Sequence, residues 1–191
     1  MGGSFNPAHS GHLYISDEAR KSARLDEIWW LVSPQNPLKS KTDMADFQTR
    51  LAAARKLAGR FGWLRCLDIE QQRGLSFTFE TIAFLRRFCP CAKLVWIMGA
   101  DNLIQFPQWN RAQQIASSIP ILIMNRPGYG WQGLSAKGAA ILGRGRRVKN
   151  ATLLSQKNRG WAYFHHSRNM LSGTALRQLQ PRPLAETEKN R

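Results

Sequence analysis

The sequence predicts an α/β domain built on a single doubly wound parallel sheet with helices on both faces, its first strand missing or truncated. Three observations predict it. Short apolar runs alternate with helical stretches along the chain, the pattern of parallel β-α-β units. A loop that begins with two glycines runs into the first helix, as at the carboxyl edge of such a sheet. With 191 residues, 43% of them hydrophobic and 10% aromatic, the chain can bury a real core within one domain. That domain is assigned to residues 1–180, with a polar tail over 181–191.

The elements follow in order. Only Met1 precedes the glycines, so little of a first strand remains, and a chain extended upstream is expected to be more stable. Residues 11–25, rich in Ala, Arg and Lys, read as a helix. Residues 27–33 (EIWWLVS), closed by Pro34, suit a strand buried on both faces. A polar loop over 34–42 follows. Met44, Phe47, Leu51, Ala54, Ala58 and Phe61 then recur at steps of three and four, an amphipathic helix with Asp43 as its cap. Residues 63–69 read as a strand, 78–88 as a helix ended by Pro90, and 93–98 (KLVWIM) as a buried strand stopped by Gly99. A helix over 111–117 leads to an apolar strand at 119–124. Residues 128–158 are richer in Gly, Lys and Arg, 161–164 read as a last strand, and 174–179 as a short final helix.

Composition excludes several classes. No run of about 18 apolar residues occurs, so no spanning helix is expected. Residues 1–7 show no basic start and apolar run, so no secretory signal is expected. Three cysteines, Cys66, Cys89 and Cys91, form an odd set without zinc-type spacing, which suits a reducing cytoplasm. The formal charge of +16 favours polyanions without choosing among nucleotides, pyrophosphate and nucleic acid.

The densest chemistry lies in Gly2-Gly3-Ser4-Phe5-Asn6-Pro7-Ala8-His9-Ser10-Gly11-His12. Glycines let backbone approach a phosphate, and a helix start offers unpaired N–H donors. Two histidines three apart lie on one side of that start, where imidazoles can donate to oxygens that gain negative charge during phosphoryl transfer. This string is similar to the G-[ST]-F-[DN]-P-x-H-x-G-H signature of the nucleotidyltransferase superfamily. Four further segments resemble, in the same order, the bacterial nicotinate-mononucleotide adenylyltransferase family. They are Pro34-Gln35-Asn36-Pro37-Leu38-Lys39, Phe77-Thr78-Phe79-Glu80-Thr81-Ile82, Trp96 to Leu103 with Trp109, and Leu171-Ser172-Gly173-Thr174-Ala175-Leu176-Arg177. The resemblance covers residues 2 to about 177.

The resemblance implies a Rossmann-like fold and transfer of AMP from ATP to nicotinate mononucleotide, with pyrophosphate released. It places ATP against Gly3, Ser4, Phe5, His9, Gly11, His12, Asp101, Ser172, Thr174 and Arg177, with His9, His12 and Arg177 catalytic. It places the mononucleotide against Asn36, Lys39, Thr78, Trp109 and Arg126. Physical readings stand beside these. Asn36 and Lys39 offer an amide and a cation to an anion, or are solvated loop residues. Thr78 can cap its helix or hold the nicotinate end. The Trp109 indole can stack on a pyridine or fill core. Asp101 can accept from a ribose hydroxyl or organise a hydrated metal, and Arg126 can bind acceptor anion or serve a turn. Gly173 stands where the family usually has a second hydroxyl-bearing residue. Mg²⁺ is expected mainly through ATP phosphates, since magnesium keeps waters and takes few protein ligands. No membrane or specific nucleic-acid partner is expected. Another superfamily member, such as a pantetheine-phosphate adenylyltransferase, is the alternative. A basic nucleic-acid module, suggested by Arg144-Gly145-Arg146-Arg147, would instead bind with steep salt dependence and release no pyrophosphate.

Overall fold

The computed structural model describes residues 1–34, 44–125, 137–143 and 146–165. In chain order these form β1 (Gly2–Gly3), α1 (Ser10–Ala23), β2 (Ile28–Val32), α2 (Phe47–Ala58), β3 (Leu64–Leu67), α3 (Ile69–Arg73) and α4 (Thr78–Phe88). There follow β4 (Trp96–Gly99), α5 (Ala100–Gln105), a 3-10 turn (Phe106–Gln108), α6 (Ala112–Ser118), β5 (Pro120–Met124), α7 (Lys137–Leu142), a 3-10 segment (Ala151–Gln156) and β6 (Gly160–Phe164).

Every strand pair is parallel, and the helices cover both faces, as expected. The expected single sheet is hydrogen-bonded as two three-stranded pieces, β1-β2-β3 and β4-β5-β6. Alternation along the strands shows why the pieces act as one layer. Leu31 shares a cluster with Trp96, Met98, Ile121, Ile123, Trp161 and Tyr163, covered by α4, α5, α6 and α7 through Ile82, Leu103, Ile115 and Leu142. Ile28, Trp30 and Val32 point the other way, beside Ile97, Leu122 and Met124, under Ala19 of α1 and Leu51 and Ala54 of α2. Both three-stranded pieces therefore supply both cores, with successive side chains on opposite faces.

The first strand is present and short: Gly2 and Gly3 pair with Leu31 and Val32. Both glycines sit in tight surroundings. A Cβ on Gly2 would lie 3.3 Å from the Trp96 indole, and one on Gly3 would lie 3.3 Å from the Phe5 ring. The Trp96 indole thus packs directly against β1.

Several boundaries differ from expectation. Helix α2 begins at Phe47, three residues after the start of the apolar stripe. Its cap is Asp46, whose carboxylate accepts from the N–H groups of Gln48 (2.7 Å) and Thr49 (3.2 Å). The expected cap Asp43 lies outside the described residues. Three helices were not expected, α3, α5 and α7. Helix α5 starts on the residue after β4, with no loop between them for a sequence pattern to mark. The helix expected at 174–179 and the tail 181–191 also lie outside the described residues.

Candidate active site

The Trp96 indole of β4 packs against Gly2 of β1, so the edge strands of the two three-stranded pieces meet and leave between them a crevice of the kind in which such sheets bind ligands. A cavity of about 430 Å³ opens there. It is walled by the carboxyl ends of three strands and by the segments that leave them. Gly3 ends β1, Ser4 and Phe5 follow it in the β1–α1 loop, His12 lies in the first turn of α1, Ser33 follows β2, and Gly99, Asp101 and Asn102 come from the β4–α5 junction. Glu70, Thr78 and Trp109 close the opposite side.

The β1–α1 loop is shaped by its own side chains. Phe5 takes a left-handed backbone, φ 46°, which costs a non-glycine residue about 1–2 kcal/mol. Its ring, 1% exposed, stacks on Trp30 with centroids 4.9 Å apart and lies 4.9 Å from the His12 ring. Burial holds the strained turn in place. Phe5 therefore supports His12 with its ring.

Helix α1 then starts with a reciprocal cap. The Gly11 N–H donates to His9 Nδ1 at 3.1 Å, and the His9 N–H donates to His12 Nδ1 at 3.2 Å. Each Nδ1 is therefore an acceptor, and a neutral ring carries its proton on Nε2. The ring centroids are 3.9 Å apart. His9 is buried behind, and His12 lines the cavity. The turn is pinned from below, since Trp30 Nε1 donates to Ser16 Oγ and Ser16 Oγ donates to the His12 carbonyl, each at 2.8 Å.

Thr78 is the first residue of α4 and faces the cavity. It does not cap the helix. Glu80 does so, its Oε2 accepting from the N–H groups of Ser76 and Phe77 at 3.0 Å each. Trp109 lines the cavity while packing against the core, its ring 5.4 Å from Phe106 at a 62° angle. Asp101 sits in the first turn of α5, on the cavity wall. The expected residues Asn36, Lys39, Arg126, Ser172, Thr174 and Arg177 lie outside the described residues.

Sequence reasoning passed over two buried charged residues beside the cavity. Glu70 of α3, 7% exposed, accepts from Ser33 Oγ at 2.6 Å and from Thr81 Oγ1 at 3.0 Å. Burial pushes its carboxyl above the usual range, against the pull of these two hydroxyls. Arg50 of α2 is 2% exposed and reaches the loop carbonyl of Ser4 at 2.6 Å. Its signal was in the sequence: Arg50 stands three residues after Phe47 and four before Ala54, on the apolar stripe itself.

Among the described residues, no group of three or more His, Cys, Asp or Glu side chains is placed to hold a metal. No helix there is long and apolar enough to cross a membrane.

Comparison with known proteins bears on this geometry. The chain matches the cytidylyltransferase-like family over residues 1–179. It is 40% identical over 192 residues to a protein of Gluconobacter oxydans, covering 98% of this chain and 97% of that one, whose name is "probable nicotinate-nucleotide adenylyltransferase". A protein of Cereibacter sphaeroides with the same name is 44% identical over 177 residues, covering 93% of this chain and 94% of its own. Among solved structures, the nicotinic acid mononucleotide adenylyltransferase of Plasmodium falciparum, complexed with NaAD, has a similar fold. Its TM-score is 0.68 at 14% identity, covering 93% of this chain and 80% of that chain.

Proposed function

Since the chain belongs to the cytidylyltransferase-like family, we propose that it is a nicotinate-nucleotide adenylyltransferase. It joins nicotinate mononucleotide to the AMP portion of ATP, giving nicotinate adenine dinucleotide and pyrophosphate, a step of NAD biosynthesis. One observation of the site carries this reading: two imidazoles, both with Nδ1 held by backbone N–H, stand where a strained glycine loop meets a helix start beside a cavity.

The chemistry needs little from the protein beyond placement and charge. An oxygen of the mononucleotide phosphate forms a bond to the α-phosphorus of ATP. The bond from that phosphorus to the bridging oxygen breaks, and the electron pair leaves with pyrophosphate. The attacking phosphate is already ionised, so no side chain must activate it. His12 donates through Nε2 to the α-phosphate, with His9 behind it, and the N–H groups of the loop at Gly3, Ser4 and Phe5 and of Gly11 receive neighbouring phosphate oxygens. Ser172, Thr174 and Arg177 bind the departing pyrophosphate. Thr78 and Trp109 hold the nicotinate end, and Asn36, Lys39 and Arg126 its acidic groups.

Mg²⁺ suits this donor set, because it takes one or two carboxylates and otherwise water and phosphate oxygens. Asp101, on the cavity wall, would help organise its water shell, and the ion would neutralise phosphate charge. The reaction belongs in the cytoplasm, where Cys66, Cys89 and Cys91, all free, remain thiols.

The test is pyrophosphate release from ATP with nicotinate mononucleotide, its amide analogue and pantetheine phosphate offered separately. Release is expected with the nicotinate form. Release with pantetheine phosphate alone, or with none of the three, sinks the proposal.

A further inference from the structure

Arg50 takes no part in the binding scheme above, yet its surroundings are built around the loop that does. Its Nε donates to the Ala45 carbonyl at 2.9 Å. Its Nη1 donates to the carbonyls of Ser4 at 2.6 Å and Ser33 at 2.9 Å, and its Nη2 to that of Pro34 at 2.9 Å. All four of these partners are carbonyl oxygens, so carbonyl dipoles stabilise the buried guanidinium. Burial pulls its pKa below the usual arginine value, with Asp46 opposing. Burying a cation is costly unless its donors are satisfied. An aliphatic side chain would complete the stripe of Phe47, Leu51 and Ala54 more simply.

The four carbonyls come from three separate segments. Ser4 lies in the phosphate loop, Ser33 and Pro34 at the carboxyl end of β2, and Ala45 in the lead into α2. Asn6 closes the circuit, its Oδ1 accepting from the Ala45 N–H at 3.2 Å. From Ser33 the connection runs on through Glu70 to Thr81, one turn into the helix that opens at Thr78. A continuous polar chain thus underlies the cavity from its donor side to its acceptor side.

We propose that Arg50 is a positioning residue for nucleotidyl transfer, its planar fork holding the phosphate loop and the end of β2 at the separation at which the two substrates meet in line. The proposal rests on the reaction given above. A guanidinium spans several carbonyls at fixed angles, whereas an ammonium offers one nitrogen on a flexible stem. Small displacements of reacting groups are expensive, and a misplacement near 1 Å costs about 100-fold in rate.

The test compares the wild-type protein with Arg50→Lys and Arg50→Ala, all assayed below their melting temperatures by pyrophosphate release from ATP and nicotinate mononucleotide. Arg50→Lys is expected to lose about 100-fold in kcat, with both Michaelis constants little changed, the pattern of a lost transition-state alignment. Added guanidinium ion is expected to restore part of the turnover of Arg50→Ala, and methylammonium to restore none. Near-normal kcat in Arg50→Lys overturns the proposal, as does a loss that only tracks the folded fraction, or failure of both variants to fold. An inactive wild-type protein would sink the assigned reaction instead, and is distinguished by running it first.

Discussion

Two backbone amides decide how the histidines can act. Because Gly11 and His9 donate to Nδ1 of His9 and His12, each neutral ring presents Nε2–H as its donor. His12, the ring on the cavity wall, is then a preorganised donor for charge developing at phosphorus. His12→Ala should lower kcat by about 100-fold or more, as expected when such a donor is lost. Near-normal turnover would remove His12 from the mechanism. Trp109 faces a different question, since its ring both lines the cavity and packs on the core. If it stacks on the pyridine, Trp109→Ala raises the Michaelis constant for the mononucleotide more than that for ATP. Equal effects on both would mark it as a core residue. The two histidines were legible in the sequence because the hydrogen bonds that tie them to the helix start span only two or three residues. Arg50 and Glu70 were not, because their meaning lies in partners distant along the chain: Ser4 for Arg50, Ser33 for Glu70.

Elements meet at Glu70, which ties α3 to the end of β2 through Ser33 and to α4 through Thr81. Its pKa is raised in the folded protein from the ordinary 4.5, chiefly by burial. The folded state therefore binds more protons than the unfolded state between those two values, and this contribution to stability is lost as pH rises through the folded value. Glu70→Gln removes the titration. Thermal melting of wild type relative to Glu70→Gln should accordingly decline as pH rises through the range above the ordinary 4.5. A constant difference across that range would show that the buried carboxyl does not titrate abnormally. At this scale the strands were legible, since apolar runs buried on both faces carry their own signature. The boundaries were less so. The run at 63–69 ends early, as β3 stops at Leu67 and Ile69 already begins α3, an apolar residue serving a helix instead. The stripe from Met44 likewise misplaced the start of α2, which the Asp46 carboxylate sets.

For the whole molecule the charge of +16 and the position of the cavity belong together. The two substrates of the proposed reaction are anions, and a positive field concentrates anions before any contact is made. Such a field acts over a Debye length of about 10 Å at 0.1 M salt and about 3 Å at 1 M. The hydrogen bonds proposed for transfer, by contrast, work at contact inside the crevice between β1 and β4, where screening is weak. Salt should therefore separate the two effects. Raising ionic strength from about 0.05 to 0.5 M should increase the Michaelis constants for ATP and nicotinate mononucleotide together, while kcat changes little. A neutral chloride–acetate exchange at constant ionic strength should leave both constants unmoved. If the Michaelis constants do not respond to ionic strength, the basic surface does not serve substrate capture, and the charge must answer to some other partner. A nucleic acid would then be the first to try, because its binding weakens steeply over the same salt range.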